Sequence, residues 1–276
     1  MRTLTKLFLS GLRRTARPWL STYGLLRVKK LFNKSALVWQ PSDERVVVLA
    51  PHMDDEVIGC GGTLAQHVAC GAEVTVVFLT DGRHGGKLSS GEDKDGDGIT
   101  SSRKREAERA LAELGISRLI YLDAEDGQLS STPGIARALY EALAAARPEI
   151  VYLPFFLEEH PDHRAASTLL ADAVRGTSLN FRCHGYEVWT PLFPNCLVRI
   201  DATVEAKRRA LAHYQTQLAE ADYLHTALGL NAYRSSALLD SACRYVEAFC
   251  AMSLPQYLEL LTSYGLLASS RGRAPA

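Results

Sequence analysis

Two short polar clusters hold most of the residues able to do chemistry in this 276-residue chain. One is Pro51-His52-Met53-Asp54-Asp55-Glu56 and the other is His160-Pro161-Asp162-His163. Imidazole and carboxylate together suit zinc better than calcium or magnesium, which prefer oxygen shells. A catalytic zinc commonly takes three protein ligands and keeps one position for water, so two donors from one loop and one from another suffice. A lone His-x-x-His or Asp-Asp pair would read as helix caps and loop-satisfying side chains. Two such clusters in one chain, each close behind an apolar run, favour a metal site.

The elements that must position these clusters follow from the apolar pattern. Residues 46–50, 74–79, 119–122 and 150–153 are short continuous apolar runs, as expected of buried parallel strands. Residues 186–189 and 197–200 look like two further strands. Helices are expected over 63–70, 103–114 and 135–146 and again after His163, with Gly71, Gly115 and Pro148 as their stops. Residues 202–266 read as mostly helical. This alternation predicts an α/β fold: a Rossmann-like, doubly wound, mostly parallel sheet with helices on both faces, in a single catalytic domain. Ligands of such sheets bind beyond the carboxyl ends of the strands, where both clusters fall.

The run Ala50-Pro51-His52-Met53-Asp54-Asp55-Glu56, followed by Gly59-Cys60-Gly61-Gly62, resembles the signature of the PIG-L/LmbE-like zinc-dependent N-acetylglucosaminyl de-N-acetylases. His160-Pro161-Asp162-His163 resembles that family's second signature. Similarity extends through Leu79-Thr80-Asp81-Gly82, Arg105-Glu106-Ala107-Glu108, Tyr186-Glu187-Val188-Trp189 and Tyr214-Gln215-Thr216-Gln217, covering roughly 45–250. Met53 stands where the family usually shows proline, a position that shapes the loop. The resemblance implies His52, Asp55 and His163 as zinc ligands and Asp54 as general base. It implies His160 as the group that stabilises the oxyanion or protonates the leaving amine, oriented by Asp162. The implied reaction is removal of acetyl from an N-acetylated amino sugar. A related amide hydrolase acting on a thiol-sugar conjugate, or a non-catalytic sugar-binding protein of the same fold, are the alternatives. The residue types agree with hydrolysis, because an unactivated amide needs a strong nucleophile and zinc brings the pKa of water towards about 7.

Other motifs carry less. Gly59-Cys60-Gly61-Gly62 misses G-x-G-x-x-G spacing, since Leu64 occupies the third glycine's place, so dinucleotide binding is not expected. The glycines are expected to open a helix and let backbone approach the site. Asp93-Lys94-Asp95-Gly96-Asp97-Gly98 starts like an EF-hand loop, but its twelfth position is Lys104. The stretch 91–98 reads as an acidic surface loop over the site. Asp81 and Arg83, after the second strand, are candidates for binding sugar hydroxyls or phosphate, against the plainer reading of a stabilised turn. His84 is an outside candidate ligand, whereas His67, His184, His213 and His225 read as core or surface histidines. None of the six cysteines forms C-x-x-C, and reduced buried thiols are expected.

The chain has 31 basic and 31 acidic residues, and the balance is segregated. Nine basic side chains fall in residues 1–34, before the first acid at Asp43, leaving 22 basic and 31 acidic groups for the remainder. The division expected is a basic amphipathic arm over 1–42, the deacetylase domain over 43–268 and a loose tail over 269–276. The arm reads either as a contact with an anionic membrane surface, and with it a lipid-linked sugar substrate at the inner face of the cytoplasmic membrane, or as a helix packed on the domain or a solvated tail. No nucleic-acid motif accompanies it. No apolar run approaches the roughly 20 residues that span a bilayer, so the protein reads as cytoplasmic.

Overall fold

The computed structural model describes residues 36–86 and 98–267. The basic segment 1–34, nearly all of the acidic loop 91–98 and the tail 269–276 lie outside the described residues. Among the described residues eight strands form one sheet: β1 (Leu37–Val38), β2 (Val46–Ala50), β3 (Val74–Thr80), β4 (Arg118–Ala124), β5 (Ile150–Pro154), β6 (Arg182–Tyr186), β7 (Cys196–Arg199) and β8 (Val246–Ser253). Their spatial order is β1-β7-β8-β6-β5-β2-β3-β4. All neighbours are parallel except β8, which runs antiparallel to both β6 and β7.

The apolar runs behave as period-2 strands buried on both faces. Val46, Val48, Val76, Phe78, Ile150 and Tyr152 enter one core, while Val47, Leu49, Val77, Leu79, Val151 and Leu153 enter the other. The first core is covered by α1 (Asp55–Ala69), α2 (Gly98–Glu113), α5 (Val204–Leu211) and, after the one-turn α6 (Gln215–Leu218), α7 (Tyr223–Ser235); α1, α2, α5 and α7 contribute Leu64, Leu111, Leu211 and Leu228. The second is covered by α3 (Pro133–Ala146), α4 (Pro161–Ala173) and α8 (Leu254–Ser263), through Leu143, Leu170 and Leu261. This is the expected doubly wound arrangement. Its strand order reverses between β2 and β5, and a crevice opens there beyond the strand ends. Among the described residues no helix is long and apolar enough to cross a membrane.

Three local expectations are corrected. The strand placed at 186–189 is β6 at Arg182–Tyr186, and the residues after Tyr186 leave the sheet. The backbone N–H groups of Val188, Trp189 and Thr190 donate to the buried Glu158 carboxylate instead of to a neighbouring strand. Residues 246–253, read within a helical region, form β8. Ala, Met and Glu in this stretch are good helix formers, but pairing on two sides and the Glu247–Lys207 ion pair override that preference. Finally, Leu37 and Val38, assigned to the arm, pair with Cys196 and Leu197 at the sheet edge.

The glycines at 59–62 serve packing, not access to the site. They lie inside α1, which kinks at Cys60. A Cβ on Gly59 would overlap the Tyr186 ring, and one on Gly62 would sit 2.8 Å from Ile200. At the kink, the Glu247 carboxylate accepts from Gly62 N (2.9 Å) and Thr63 N (2.7 Å). Lys207 Nζ closes on the same carboxylate at 2.6 Å, and both side chains are fully buried.

Two of the histidines read as core or surface residues are in the core. His67 contacts the Ser42 carbonyl and the Tyr152 hydroxyl. His184 lies among the rings of Trp39, Tyr152 and Phe249. Burial pushes the His184 imidazole down to about 3, with Arg182 adding to the effect. The unfolded chain takes up a proton near pH 6.5 and the folded chain does not, so stability falls as pH drops below 6.5 towards 3. Going from pH 7 to 5 should cost about 2 kcal/mol through this residue, and His184→Phe should remove that part of the slope. Denaturant unfolding of both chains at the two pH values measures it; parallel slopes would contradict the assignment.

Candidate metal centre

The segment between β2 and α1 brings His52, Asp54 and Asp55 to the mouth of the crevice. Asp54 is the residue before α1 and has φ 139° and ψ −27°, a backbone conformation costly for any side chain but glycine. Two buried groups sustain it. Glu56 accepts the Asp54 N–H (3.1 Å) and the Tyr214 hydroxyl. Arg103, 2% exposed, donates to the carbonyls of Met53 (3.0 Å) and Gly82 (2.9 Å) and stands 3.9 Å from the Asp54 carboxylate. Met53 itself fills the core beneath the loop.

Opposite, His160 is the residue before α4, and its Nδ1 accepts the Asp162 N–H at 3.2 Å. One turn in, His163 is fully buried. The two segments meet at Asp55. Its Oδ2 lies 3.3 Å from His52 Nδ1 and 3.2 Å from His163 Nε2, and those two nitrogens are 3.3 Å apart. The Oδ2 atom also accepts the His52 N–H at 2.8 Å. A tetrahedral ion with bonds of about 2.0–2.1 Å has ligand edges of about 3.3–3.4 Å, so the triangle is sized to hold one. The far nitrogen of each histidine faces a carboxylate. Nε2 of His52 is 3.1 Å from Asp126 and 3.2 Å from Asp162, and Nδ1 of His163 is 3.7 Å from Glu158. Metal-bound imidazoles need such acceptors for their remaining N–H. Two other donor groupings share His52, one with His160 and His163 and one with Asp126 and Asp162, each spread within 4.8 Å. The grouping through Asp55 has the near-equilateral edges and leaves Asp126 and Asp162 to receive the His52 proton.

The electrostatics follow from crowding these charges under cover. Burial opposes ionisation of Asp55, yet the His163 and His52 imidazoles hold its carboxyl well below the usual range. Burial likewise opposes a charged His163, but Asp55 carries it up to about 9. His52 rises well above its ordinary value because the Asp126, Asp162 and Asp55 carboxylates outweigh burial. Burial, and then the Asp55 charge, push Asp54 up to about 7. Burial pushes Glu56 to about 8. His160 moves down, through burial and the neighbouring His52 and His163.

The remaining site expectations fare unevenly. Asp162 does not orient the His160 ring through its carboxylate. That carboxylate accepts from Gly127 N (2.7 Å) and Leu129 N (2.9 Å) and meets His52, so only its backbone N–H serves His160. Asp81 and Arg83 bind each other: Arg83 Nε donates to Asp81 at 2.7 Å within the turn, and neither lines the cleft. The stabilised turn is therefore the better description, because the short spacing lets the two charges satisfy one another. His84 does line the cleft, with Nδ1 donating to the Asp126 carbonyl at 2.8 Å. Sequence reasoning passed over Asp126, Arg103 and Glu158. Asp126-Gly127 follows a strand at the same sheet edge, a signal that could have singled it out; Arg103 and Glu158 look like surface charges. The cleft, about 250 Å³, is lined further by Trp189, Gln217 and Tyr223, with Trp189 and Tyr223 edge-to-face at 5.4 Å.

Known proteins resemble this chain. The family model PIG-L, GlcNAc-PI de-N-acetylase, matches residues 47–174. The diacetylchitobiose deacetylase of Thermococcus kodakarensis is 30% identical over 196 residues, 64% of this chain and 71% of that protein. The 1D-myo-inositol 2-acetamido-2-deoxy-alpha-D-glucopyranoside deacetylase of Mycobacteroides abscessus is 31% identical over 157 residues, covering 49% of this chain and 56% of that protein. The crystal structure of a conserved protein from Thermus thermophilus, TT1542, superposes with TM-score 0.65 at 29% identity, covering 84% of this chain and all of that one.

Asp55 and the acids behind the rings raise both His52 and His163 above an ordinary imidazole, so each holds a proton more tightly than a free histidine does. A metal entering the triangle would compete with protons there, so affinity should rise with pH through neutrality to about 9. Calorimetric zinc titration in buffers of different ionisation enthalpy should show net proton release on binding. Binding without proton release would place the ion elsewhere.

Proposed function

Because the chain belongs to the PIG-L family of de-N-acetylases, we propose that it hydrolyses the acetamido group of an N-acetylated amino sugar with a zinc ion held by His52, Asp55 and His163. The observation that carries this reading is the 3.2–3.3 Å triangle of those three donors, open to the cleft beside Asp54. The donor set, two imidazoles and one carboxylate, is one that catalytic zinc sites use. Zinc there would supply the Lewis acidity that makes water a nucleophile near neutral pH and polarises the amide carbonyl.

The chain's own residues supply the proton chemistry. Asp54, whose basicity burial raises towards neutrality, takes the proton that the attacking water loses. His160 is neutral at pH 7, and because its Nδ1 accepts the Asp162 N–H, its own proton sits on Nε2. That N–H can donate to the carbonyl oxygen as it gains negative charge. Breaking the C–N bond then requires a proton on the departing nitrogen, which Asp54 returns, and acetate and the free amine leave. Asp126 and Asp162 hold the His52 ring from behind, and Arg103 fixes the loop that presents Asp54. Trp189 and Tyr223 offer an aromatic wall for the apolar face of a sugar ring.

The sugar class is supported by the named relatives, which act on diacetylchitobiose and on a 2-acetamido-2-deoxy-glucopyranoside. Asp54→Asn tests the base, since asparagine matches aspartate in size and shape but cannot take up the proton. Acetate release from N-acetylglucosamine derivatives should fall about 10²- to 10⁴-fold with zinc content unchanged. Near-normal release would remove Asp54 from the role, and turnover of unrelated amides in preference to amino sugars would overturn the substrate class.

The nine basic residues of 1–34 support one further element, a substrate presented at an anionic membrane surface. Vesicle flotation with anionic lipids should carry the full chain but not one lacking residues 1–34. Equal flotation of both, or of neither, would eliminate it.

A further inference from the structure

Glu158 lies between β5 and α4, 1% exposed, and its carboxylate is held by backbone donors. One carboxylate oxygen, Oε1, accepts from Val188 N at 2.6 Å and is shared with Trp189 N and Thr190 N at 3.2 Å. The other, Oε2, accepts from Trp189 N at 3.1 Å and Thr190 N at 3.2 Å. That same Oε2 faces His163 Nδ1 at 3.7 Å, longer than a hydrogen bond. His163 Nδ1 is itself buried with no hydrogen-bond partner, an arrangement that folded proteins rarely leave unresolved. When Nε2 carries a metal, the ring's proton must sit on Nδ1, and Glu158 is the carboxylate that faces it. A contraction of well under 1 Å would complete the bond.

We propose that Glu158 is a positioning residue that accepts a hydrogen bond from His163 Nδ1 when His163 binds metal and, through its hold on the 188–190 amides, links metal occupancy to the Trp189 wall of the cleft. The inference rests on His163 being a metal ligand, as read above. It gives Glu158 two loads on one carboxylate. Pulling Oε2 towards His163 draws on the oxygen that also accepts from Trp189 and Thr190, so the loop carrying the aromatic wall responds to the ion.

Two measurements test it, neither of which needs turnover. The first is zinc affinity. Glu158→Gln keeps one oxygen for the loop amides but puts an amide N–H where His163 needs an acceptor. Zinc should bind about 10- to 100-fold more weakly, with the circular dichroism spectrum unchanged. Zinc affinity equal to the parent's would overturn the positioning role. The second is the ¹⁹F spectrum of the full-length parent labelled with 5-fluorotryptophan, with the Trp189 signal identified by its loss in Trp189→Phe. Adding zinc should shift that signal in the parent and leave it nearly unmoved in Glu158→Gln. A zinc-insensitive Trp189 signal in the parent would overturn the linkage even if the Gln chain failed to fold. His163→Ala separates the two levels of inference. If it leaves zinc affinity intact, the ligand assignment falls and this proposal falls with it. If it abolishes binding while Glu158→Gln does not weaken it, only the proposal fails.

Discussion

Asp55 carries a full negative charge almost wholly out of contact with water, and the organisation of the crevice answers that fact. An unpaired carboxylate in such a place would cost several kcal/mol. Two imidazoles within 3.3 Å of one oxygen atom make the charge tolerable; Asp126 and Asp162 hold His52 from behind, and Glu158 faces His163 at 3.7 Å. The result is alternating charge reaching inward from the cleft: Asp55, then His52 and His163, then Asp126, Asp162 and Glu158. Each layer is stable because of the next. Such a centre holds its donors in place through its own ion pairs.

The same crowding explains why Asp54 differs from its neighbour. The two carboxylates are adjacent in sequence and nearly equally buried, but the imidazoles stand beside Asp55. Asp54 feels burial and the Asp55 charge, with Arg103 only at 3.9 Å. One acid is therefore fixed as an anion while the other exchanges a proton near neutrality. The strained backbone at Asp54 is held by Glu56 and Arg103, which bind the loop on either side of it.

Much of this was legible in the chain itself. Continuous apolar runs at 46–50, 74–79 and 150–153 read directly as buried strands, because a strand covered on both faces has no polar side to show. Both polar clusters follow such runs, which put them at one edge of the sheet. What escaped was whatever depends on a partner distant in sequence. Arg103 sits in a helix rich in Arg and Glu and looks solvent-facing, yet it lies under two loops. Glu158 resembles the exposed Glu159 beside it. Asp162 seemed to belong to His160 by adjacency, but at the first turn of a helix the neighbour receives only the backbone N–H while the carboxylate crosses to residues 127 and 129. Arg83 and Asp81, read as substrate contacts, are close enough to satisfy each other. β8 was obscured because its Glu247 looks like a surface acid until Lys207 is placed against it.

That last strand has a bearing on how the protein is made. β8 is the final strand in sequence but lies inside the sheet, and β7 and β1 join the rest only through it. Its Glu247 also covers the amides at the α1 kink and neutralises a lysine with no exposure. A nascent chain stopped before residue 246 would therefore lack more than an edge. It would have a pair of strands detached from the rest of the sheet, a buried ammonium without a counter-ion, and an uncapped break in the helix whose first turn carries Asp55. Synthesis must pass through β8 before the centre can close. A product terminated before it would thus be conspicuously unfolded to the cell's proteases, not a folded fragment left to act unchecked.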